Sequence, residues 1–213
     1  MPAPPSMDGG VDQVRMSGSV EPRRRIGRAA GEVPDAELLR RLASGELSTL
    51  GTLYDRYQDD VRQFIAYALS SREEADDLAQ EVFLTLPSAA ASYDGRLCAR
   101  PFLLGIAAQL VRRRRRALAR WSDAISAFAL TLAGASLRTP EDATTDAQRM
   151  SCFEGALARL TEDKRLVFIM IEREGLSGED VSKALDIPLG TVWTRMLHAR
   201  MEIRRTLIRR GAL

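Results

Sequence analysis

Residues 175–200 read GLSGEDVSKALDIPLGTVWTRMLHAR, and this stretch decides how the chain folds. Ser177, followed by Asp180 three residues later, is typical of a helix N-terminus. A short apolar face follows at Val181, Ala184 and Leu185. Pro188 and Gly190 are expected to break that helix and relax the turn. A longer, arginine-rich helix is then predicted from Thr191, with an inward stripe at Val192, Met196, Ala199, Ile203 and Leu207. Two helices joined by a tight turn, the second basic and longer, predict a helix-turn-helix.

The outer side of the second helix is expected to contact DNA. With the stripe facing inward, the side chains that lie wholly or partly outward are Trp193, Thr194, Leu197, His198 and Arg200. Polar groups near the N-terminus of such a helix reach base edges in the major groove. The alternative is a plain helical hairpin with a solvated arginine face, which would not need an outward Trp193.

The rest of the chain is also predicted to be helical, with no period-two alternation that would indicate a strand. An amphipathic helix covers about residues 50–69, and Ser71 with Glu74 forms a capping box for the next, which Pro87 ends soon afterwards. After a turn at residues 93–95, a third helix has Phe102, Leu103, Ile106, Ala107 and Leu110 on its inner side. The predicted fold class is all-α: two small helical domains joined by a flexible linker, the C-terminal one a helix-turn-helix.

Composition shifts predict the domain boundaries. Residues 1–33 mix Pro, Gly, Ser and Arg without apolar periodicity and are expected to form a disordered tail. The first domain is placed at residues 34–121 and the helix-turn-helix domain at residues 146–213. Residues 122–145, with small side chains and weak periodicity, are interpreted as the linker.

Several classes of protein are excluded or disfavoured by composition. Cys98 and Cys152 are too few for a disulfide scaffold, and the lone His198 disfavours metal sites and a Ser-His-Asp hydrolase. No apolar run approaches the ~20 residues of a membrane helix, and no signal-peptide core is present. We expect a cytoplasmic protein without cofactor, metal, catalytic site or membrane insertion.

Charge is strongly segregated although the net charge is only +2. Residues 100–120 carry +7, residues 190–213 carry +5 and residues 71–81 carry −4. Such segregation favours nucleic acid on two faces and a basic partner on a third. In the run 112–116, five successive helical residues sweep more than one turn. Arg112, Arg115 and Arg116 are expected to project outward and contact phosphates, whereas Arg113 and Arg114 lie nearer the inner stripe; a solvated helix end is the alternative.

The acidic stretch indicates a docking face. Glu73, Asp77 and Glu81 are like charges at four-residue spacing, which costs a few tenths of a kcal/mol per pair. This repulsion brings no benefit within the helix, which favours a role in binding a partner. A solvated acidic face explains the same pattern.

Together these features resemble the extracytoplasmic-function sigma factors, two-domain initiation subunits of bacterial RNA polymerase. The resemblance covers about residues 35–118 and 150–210. Its motifs are LYxxY at 53–57, ADDLAQEVFL at 75–84, EGLS at 174–177, GTVxxR at 190–195 and AR at 199–200. The chain departs from the family at Phe102-Leu103, where Trp-Leu is usual, and at Trp193, where a lysine or arginine is common.

The resemblance implies a role for each group of residues. Asp77, Gln80 and Glu81 match positions that bind core RNA polymerase. The stretch Tyr93 to Arg100, with Gly95 and Arg96, matches the loop that captures a flipped base of promoter DNA, and Phe102 follows it. Base-edge reading is implied for Trp193, Thr194, Leu197 and His198, with Arg195 and Arg200 at the basic positions beside them.

The sequence therefore predicts a non-enzymatic sigma factor that binds core RNA polymerase and promoter DNA and is regulated by an anti-sigma factor. Two alternatives remain open. A sigma mimic would sequester an anti-sigma factor without needing the two basic stretches. An ordinary helix-turn-helix regulator would lack the acidic docking helix and would usually dimerise.

Overall fold

A computed structural model describes residues 33–69, 71, 73–129 and 145–210. The described chain is helical, and no strand occurs in these ranges. The helices are α1 (Asp35–Ala43), α2 (Ser48–Leu69), α3 (Glu73–Ala90), α4 (Ala99–Ala129), α5 (Thr145–Arg159), α6 (Glu162–Phe168), α7 (Gly178–Leu185) and α8 (Leu189–Arg209), with a π-helical turn at Ile169–Arg173 after α6. The all-α fold class is confirmed.

Helices α1 to α4 form the N-terminal lobe, and their apolar stripes meet in one core. Its largest fully buried side chains include Leu39, Leu53, Phe64, Leu86 and Leu103. At the start of α3 the Ser71 hydroxyl accepts a hydrogen bond from the Glu74 amide at 3.4 Å, in agreement with the predicted cap. Helix α3 passes through Pro87 and ends three residues later at Ala90.

Helices α5 to α8 form the C-terminal lobe, which contains the predicted helix-turn-helix. The Ser177 hydroxyl accepts from the Asp180 amide at 3.0 Å and caps α7. The turn differs from expectation: Gly190 lies inside α8, which begins two residues earlier than predicted. Asp186 ends α7 in the left-handed conformation at φ 51°, which an aspartate tolerates because its short side chain bonds locally.

The two lobes pack against each other. Gly105 of α4 lies so close to α7 that a Cβ placed on it would be 2.6 Å from the Ala184 carbonyl oxygen. Val181, Val192 and Met196 from the helix-turn-helix therefore join the core of the N-terminal lobe. A second, smaller core joins α5 to α8 and comprises Ala156, Leu157, Leu160, Ala199, Ile203 and Leu207.

The predicted tail and most of the predicted linker lie outside the described residues. Helix α4 continues to Ala129, so the first part of the segment interpreted as a linker is helical. Among the described helices, none combines the length and the apolar character needed to span a membrane.

Candidate functional site

The outer face of α3 is acidic with an apolar centre. Asp77 and Gln80 are exposed, and Glu81 is 39% exposed and pairs with Arg113 of α4. Leu84 is 79% exposed, the largest exposure among the bulky apolar side chains described. On a helical projection it lies within about 60° of the three predicted docking residues. Sequence reasoning gave Leu84 no role, although an apolar residue among the polar positions of an amphipathic helix is the signal that would have identified it.

The loop between α3 and α4 is held by an aromatic corner. The Tyr93 hydroxyl donates to the Leu97 carbonyl at 2.7 Å, and its ring packs edge-on against Phe102 with centroids 5.1 Å apart. Burial raises the pKa of the Tyr93 phenol. Gly95 has a φ of 78°, and Arg96 is 77% exposed beside Asp94. The loop thus has a fixed base and a glycine at the turn that presents Arg96 to solvent.

Arg100 lies apart from this loop, at the junction of the lobes. It is in the first turn of α4, where its Nε donates to Asp60 at 2.7 Å and its Nη1 to the Glu174 carbonyl at 2.9 Å. Its Nη2 also pairs with the Glu174 carboxylate. Asp60 and Glu174 are 8% and 7% exposed, so these charges form a buried network. Sequence reasoning missed both; Asp60 lies on the buried stripe of α2, where a carboxylate needs a cation.

The expected orientation of the arginine run is wrong. Arg112 is only 18% exposed, whereas Arg113 is 73% exposed. Arg115 is half-buried and donates to the Ala68 carbonyl at 2.9 Å. Arg114 is exposed and lies 3.1 Å from Glu74, and Arg116 is exposed as expected. The prediction was wrong because it considered only the packing of α4 within the N-terminal lobe. The C-terminal lobe packs on another side of α4.

Asp163 joins arginines from both lobes. Its two carboxylate oxygens lie 3.0 Å from Arg112 Nη2 and 2.7 Å from Arg195 Nη2. Arg112 Nε and Arg195 Nη1 are buried and make no hydrogen bond. Arg200 pairs with Glu172 at 2.5 Å. Three of the five predicted phosphate-binding arginines are thus paired with the chain's own carboxylates.

The exposed side of α8 carries a row of apolar side chains together with exposed arginines. The predicted inward stripe is buried, and Trp193, Thr194, Leu197, His198 and Arg200 lie outward as expected. A row at four-residue spacing is exposed by 40% at Leu189, 52% at Trp193, 58% at Leu197 and 52% at Met201. The Thr194 hydroxyl donates to the Gly190 carbonyl at 2.8 Å, so it keeps only its methyl group and lone pairs for a ligand. The row suits apolar contact, while His198 and Arg200 beside it are hydrogen-bond donors.

Glu162 and Arg115 face an open cavity of about 430 Å³ between the lobes. Burial raises the pKa of the Glu162 carboxyl, and burial lowers the pKa of the Arg115 guanidinium. Glu162 Oε1 makes no hydrogen bond. No group of His, Cys, Asp and Glu side chains within the described ranges is arranged to hold a metal ion.

Replacing Glu162 with glutamine should raise the melting temperature at neutral pH. Because the folded-state pKa is raised, the contribution of Glu162 to wild-type stability is most favourable below the ordinary glutamate value of 4.5 and is lost as pH rises through the raised pKa. The advantage of Glu162→Gln should therefore shrink as the buffer is taken below that value. Calorimetry across this range measures it, with Glu154→Gln, an exposed site in α5, as the control. An advantage of the same size at every pH would contradict the assignment.

Two family profiles match the chain. The profile for sigma-70 region 2 matches residues 53–121, and that for sigma-70 region 4 matches residues 150–203. The sigma-E factor of Escherichia coli K12 is 29% identical over 179 residues, covering 81% of this chain and 93% of that protein. The sigma-H factor of Pseudomonas aeruginosa is 29% identical over 182 residues, with the same coverage of each chain.

Solved structures share the fold. CnrH, in complex with the cytosolic domain of CnrY, superposes with a TM-score of 0.58 at 18% identity, covering 81% of this chain and 96% of that one. The Bartonella quintana sigma factor RpoE, in complex with the anti-sigma factor NepR, gives 0.51 at 20% identity, covering 78% and 97%. With region 2 spanning α2 to α4 and region 4 spanning α5 to α8, the chain belongs to the sigma-70 family and is an extracytoplasmic-function sigma factor.

Proposed function

We propose that this sigma factor docks on core RNA polymerase through the outer face of α3 and directs it to promoters read by α8. One observation carries the proposal: a single chain combines the exposed acidic face around Leu84 with a helix-turn-helix whose outer side is solvent-exposed among the described residues. The chain supplies positioning, strand separation and base capture in the cytoplasm. Phosphodiester chemistry belongs to the polymerase, and the sigma factor needs no catalytic site or cofactor.

The loop around Gly95 is proposed to capture a base of the minus-ten element. Its fixed aromatic base, Tyr93 on Phe102, offers a stacking surface beside the exposed Arg96. Arg100 would join them only after it leaves Asp60 and Glu174. Participation of Arg100 in base capture would therefore require the loss of its contacts with Glu174 across the lobe boundary.

The outer side of α8 is proposed to read the minus-thirty-five element through methyl contacts and shape. Trp193, Leu197 and the Thr194 methyl group present apolar surface, which matches the thymine C5 methyl in the major groove. Arg195 and Arg200 would hold phosphates on either side, with His198 reaching a different base or a phosphate. Arg112, Arg115 and Arg116 are proposed to hold the backbone near the minus-ten element.

An anti-sigma factor is the proposed regulator. The structural relatives CnrH and RpoE were solved in complexes, RpoE with an anti-sigma factor. In this chain the lobes already contact each other, and the ion pairs at Asp163 and Glu174 hold DNA-binding arginines inside. A protein that favours this arrangement would keep the sigma factor from promoter DNA.

Run-off transcription with purified bacterial core polymerase on genomic fragments tests the proposal. Defined transcripts should appear only when the full chain is added. A sigma mimic would give none, and an ordinary helix-turn-helix regulator would bind DNA without binding core polymerase. Either result would contradict the proposed function.

Replacing Gly95 with valine should permit closed-complex formation but suppress the open complex. Valine is strained at a φ of 78°, by about 1–3 kcal/mol, so the loop would change shape. Permanganate reactivity of the minus-ten thymines should fall severalfold. Gly45→Val is the matched control, since Gly45 has a φ of 96° in another loop. Wild-type reactivity in Gly95→Val would show that the loop has another role.

A further inference from the structure

Gly178 lies directly beneath the indole ring of Trp193. A Cβ placed on Gly178 would be 2.6 Å from Cζ2 of that ring and 3.1 Å from Cε2. Carbon atoms prefer separations of about 3.5–4.0 Å, so the ring occupies the space that any side chain at position 178 would fill. The outer edge of the indole therefore rests on the bare backbone at the start of α7, while 52% of Trp193 remains exposed.

The contact between the Gly178 backbone and the Trp193 indole, called the seat below, restricts where the ring can point. A tryptophan on an open helix surface would sample several rotamers. Contact with Gly178 holds one edge of the ring against α7. The rest of the ring is exposed on the outer side of α8, which also carries Leu197 and Thr194 and faces the major groove in the proposed function. An indole ring that is fixed in one orientation presents its apolar surface at one place in that groove.

We propose that Gly178 is a specificity-determining positioning residue, whose bare backbone seats Trp193 and so fixes which methyl-bearing pyrimidine the indole contacts. The proposal rests on the proposed function and deepens it. The indole has a single N–H donor, and the Thr194 hydroxyl is committed to the Gly190 carbonyl. The surrounding surface therefore recognises a C5 methyl group, which thymine carries and deoxyuridine lacks.

Gly178→Ala should displace the ring without unfolding the domain. The atom that a new Cβ would meet is at the far end of a side chain and not on the backbone. The φ of Gly178 lies outside the left-handed region, so alanine fits the backbone there. The indole must move off its seat, and its contact with the duplex moves with it.

The experiment uses holoenzyme made from the full chain and core polymerase, with duplexes that the wild-type holoenzyme selects from a random pool. Each thymine of the selected element is replaced in turn by deoxyuridine. In the wild type, at least one replacement should weaken binding about threefold to tenfold, the range expected for one buried methyl group. The measured quantity is the ratio of the affinity for the thymine duplex to that for the deoxyuridine duplex. Gly178→Ala should bring this ratio close to one while changing the affinity for unselected DNA less than about twofold.

A double-mutant cycle distinguishes an effect of Gly178 that acts through the Trp193 ring from a general effect on the structure of the domain. Trp193→Ala alone should also bring the ratio close to one, and adding Gly178→Ala to it should change nothing further. Gly51→Ala is the matched control, because a Cβ there meets open space. Tryptophan fluorescence in a Trp121→Phe background, which leaves one tryptophan, should shift with Gly178→Ala.

Each outcome decides the inference. A wild-type deoxyuridine ratio in Gly178→Ala, or in Trp193→Ala, overturns it while the proposed function stands, provided that transcription and selection occur. A further change when Gly178→Ala is added to Trp193→Ala would show a role unrelated to the seat and would also overturn it. A wild-type holoenzyme that selects no sequence and yields no transcript overturns the proposed function and this inference together.

Discussion

Asp77→Arg combined with Glu81→Arg is expected to abolish binding to core polymerase while leaving helix content and melting almost unchanged. The two carboxylates lie within about 60° of Leu84 on the outer face of α3, and the double replacement turns an acidic face basic. Placing like charges across an interface costs several kcal/mol, so the affinity should fall about 100-fold or more. Fluorescence anisotropy of the labelled full chain titrated with core polymerase measures the change.

The folded chain should tolerate this replacement. Asp77 is exposed, and the Glu81 pair with Arg113 is a surface pair in which the arginine is 73% exposed. Such pairs contribute about 0–1 kcal/mol. Asp55→Arg with Asp59→Arg is the matched control, with the same spacing and the same charge change at two exposed positions of α2. Full affinity of the α3 variant, or an equal loss in the α2 variant, would remove the docking assignment.

The helices were predictable from the sequence because their signals are local. The inward stripe of α8 repeats every three or four residues, and burial follows that repeat at Val192, Met196 and Ala199. The Ser177 cap needs only its own helix. For the same reason the outward direction of Trp193 and Leu197 could be predicted, while their reading of bases stays a prediction.

The contacts between the lobes could not be predicted, because their partners are far apart in sequence. Arg100 finds Asp60 at a separation of 40 residues and Glu174 at a separation of 74. Arg112 and Arg115 turn inward because their partners, Asp163 of α6 and the Ala68 carbonyl of α2, lie in other helices, and no pattern within α4 indicates this. The seat under Trp193 depends on Gly178 in a different helix, so inspection of α8 alone cannot reveal it.

Arg165→Met is expected to be the most destabilising single replacement in the C-terminal lobe. Arg165 is 3% exposed, and its guanidinium donates to four carbonyls. They are those of Leu157 at 2.9 Å, Ala158 at 2.6 Å, Leu160 at 3.1 Å and Ala68 at 3.3 Å. Leu157 and Ala158 lie in the last turn of α5, where the final carbonyls of a helix lack their usual intrahelical partner, and Leu160 directly follows the helix. Chemical denaturation should show a loss of about 3 kcal/mol or more.

The methionine keeps the apolar length of the side chain, so the loss reports the donors and the charge. The end of α5 carries partial negative charge, which the Arg165 guanidinium offsets. The Ala68 carbonyl still accepts a hydrogen bond from Arg115 in the variant. The lost free energy should therefore fall mainly on the attachment of the end of α5 to α6. Arg165→Lys should recover only part of the stability, because an ammonium group offers three donors without the planar fork. Arg159→Met, an exposed arginine at the end of α5, should stay within about 0.5 kcal/mol of the wild type. Equal denaturation midpoints for Arg165→Met and Arg159→Met would show that water replaces the guanidinium without cost.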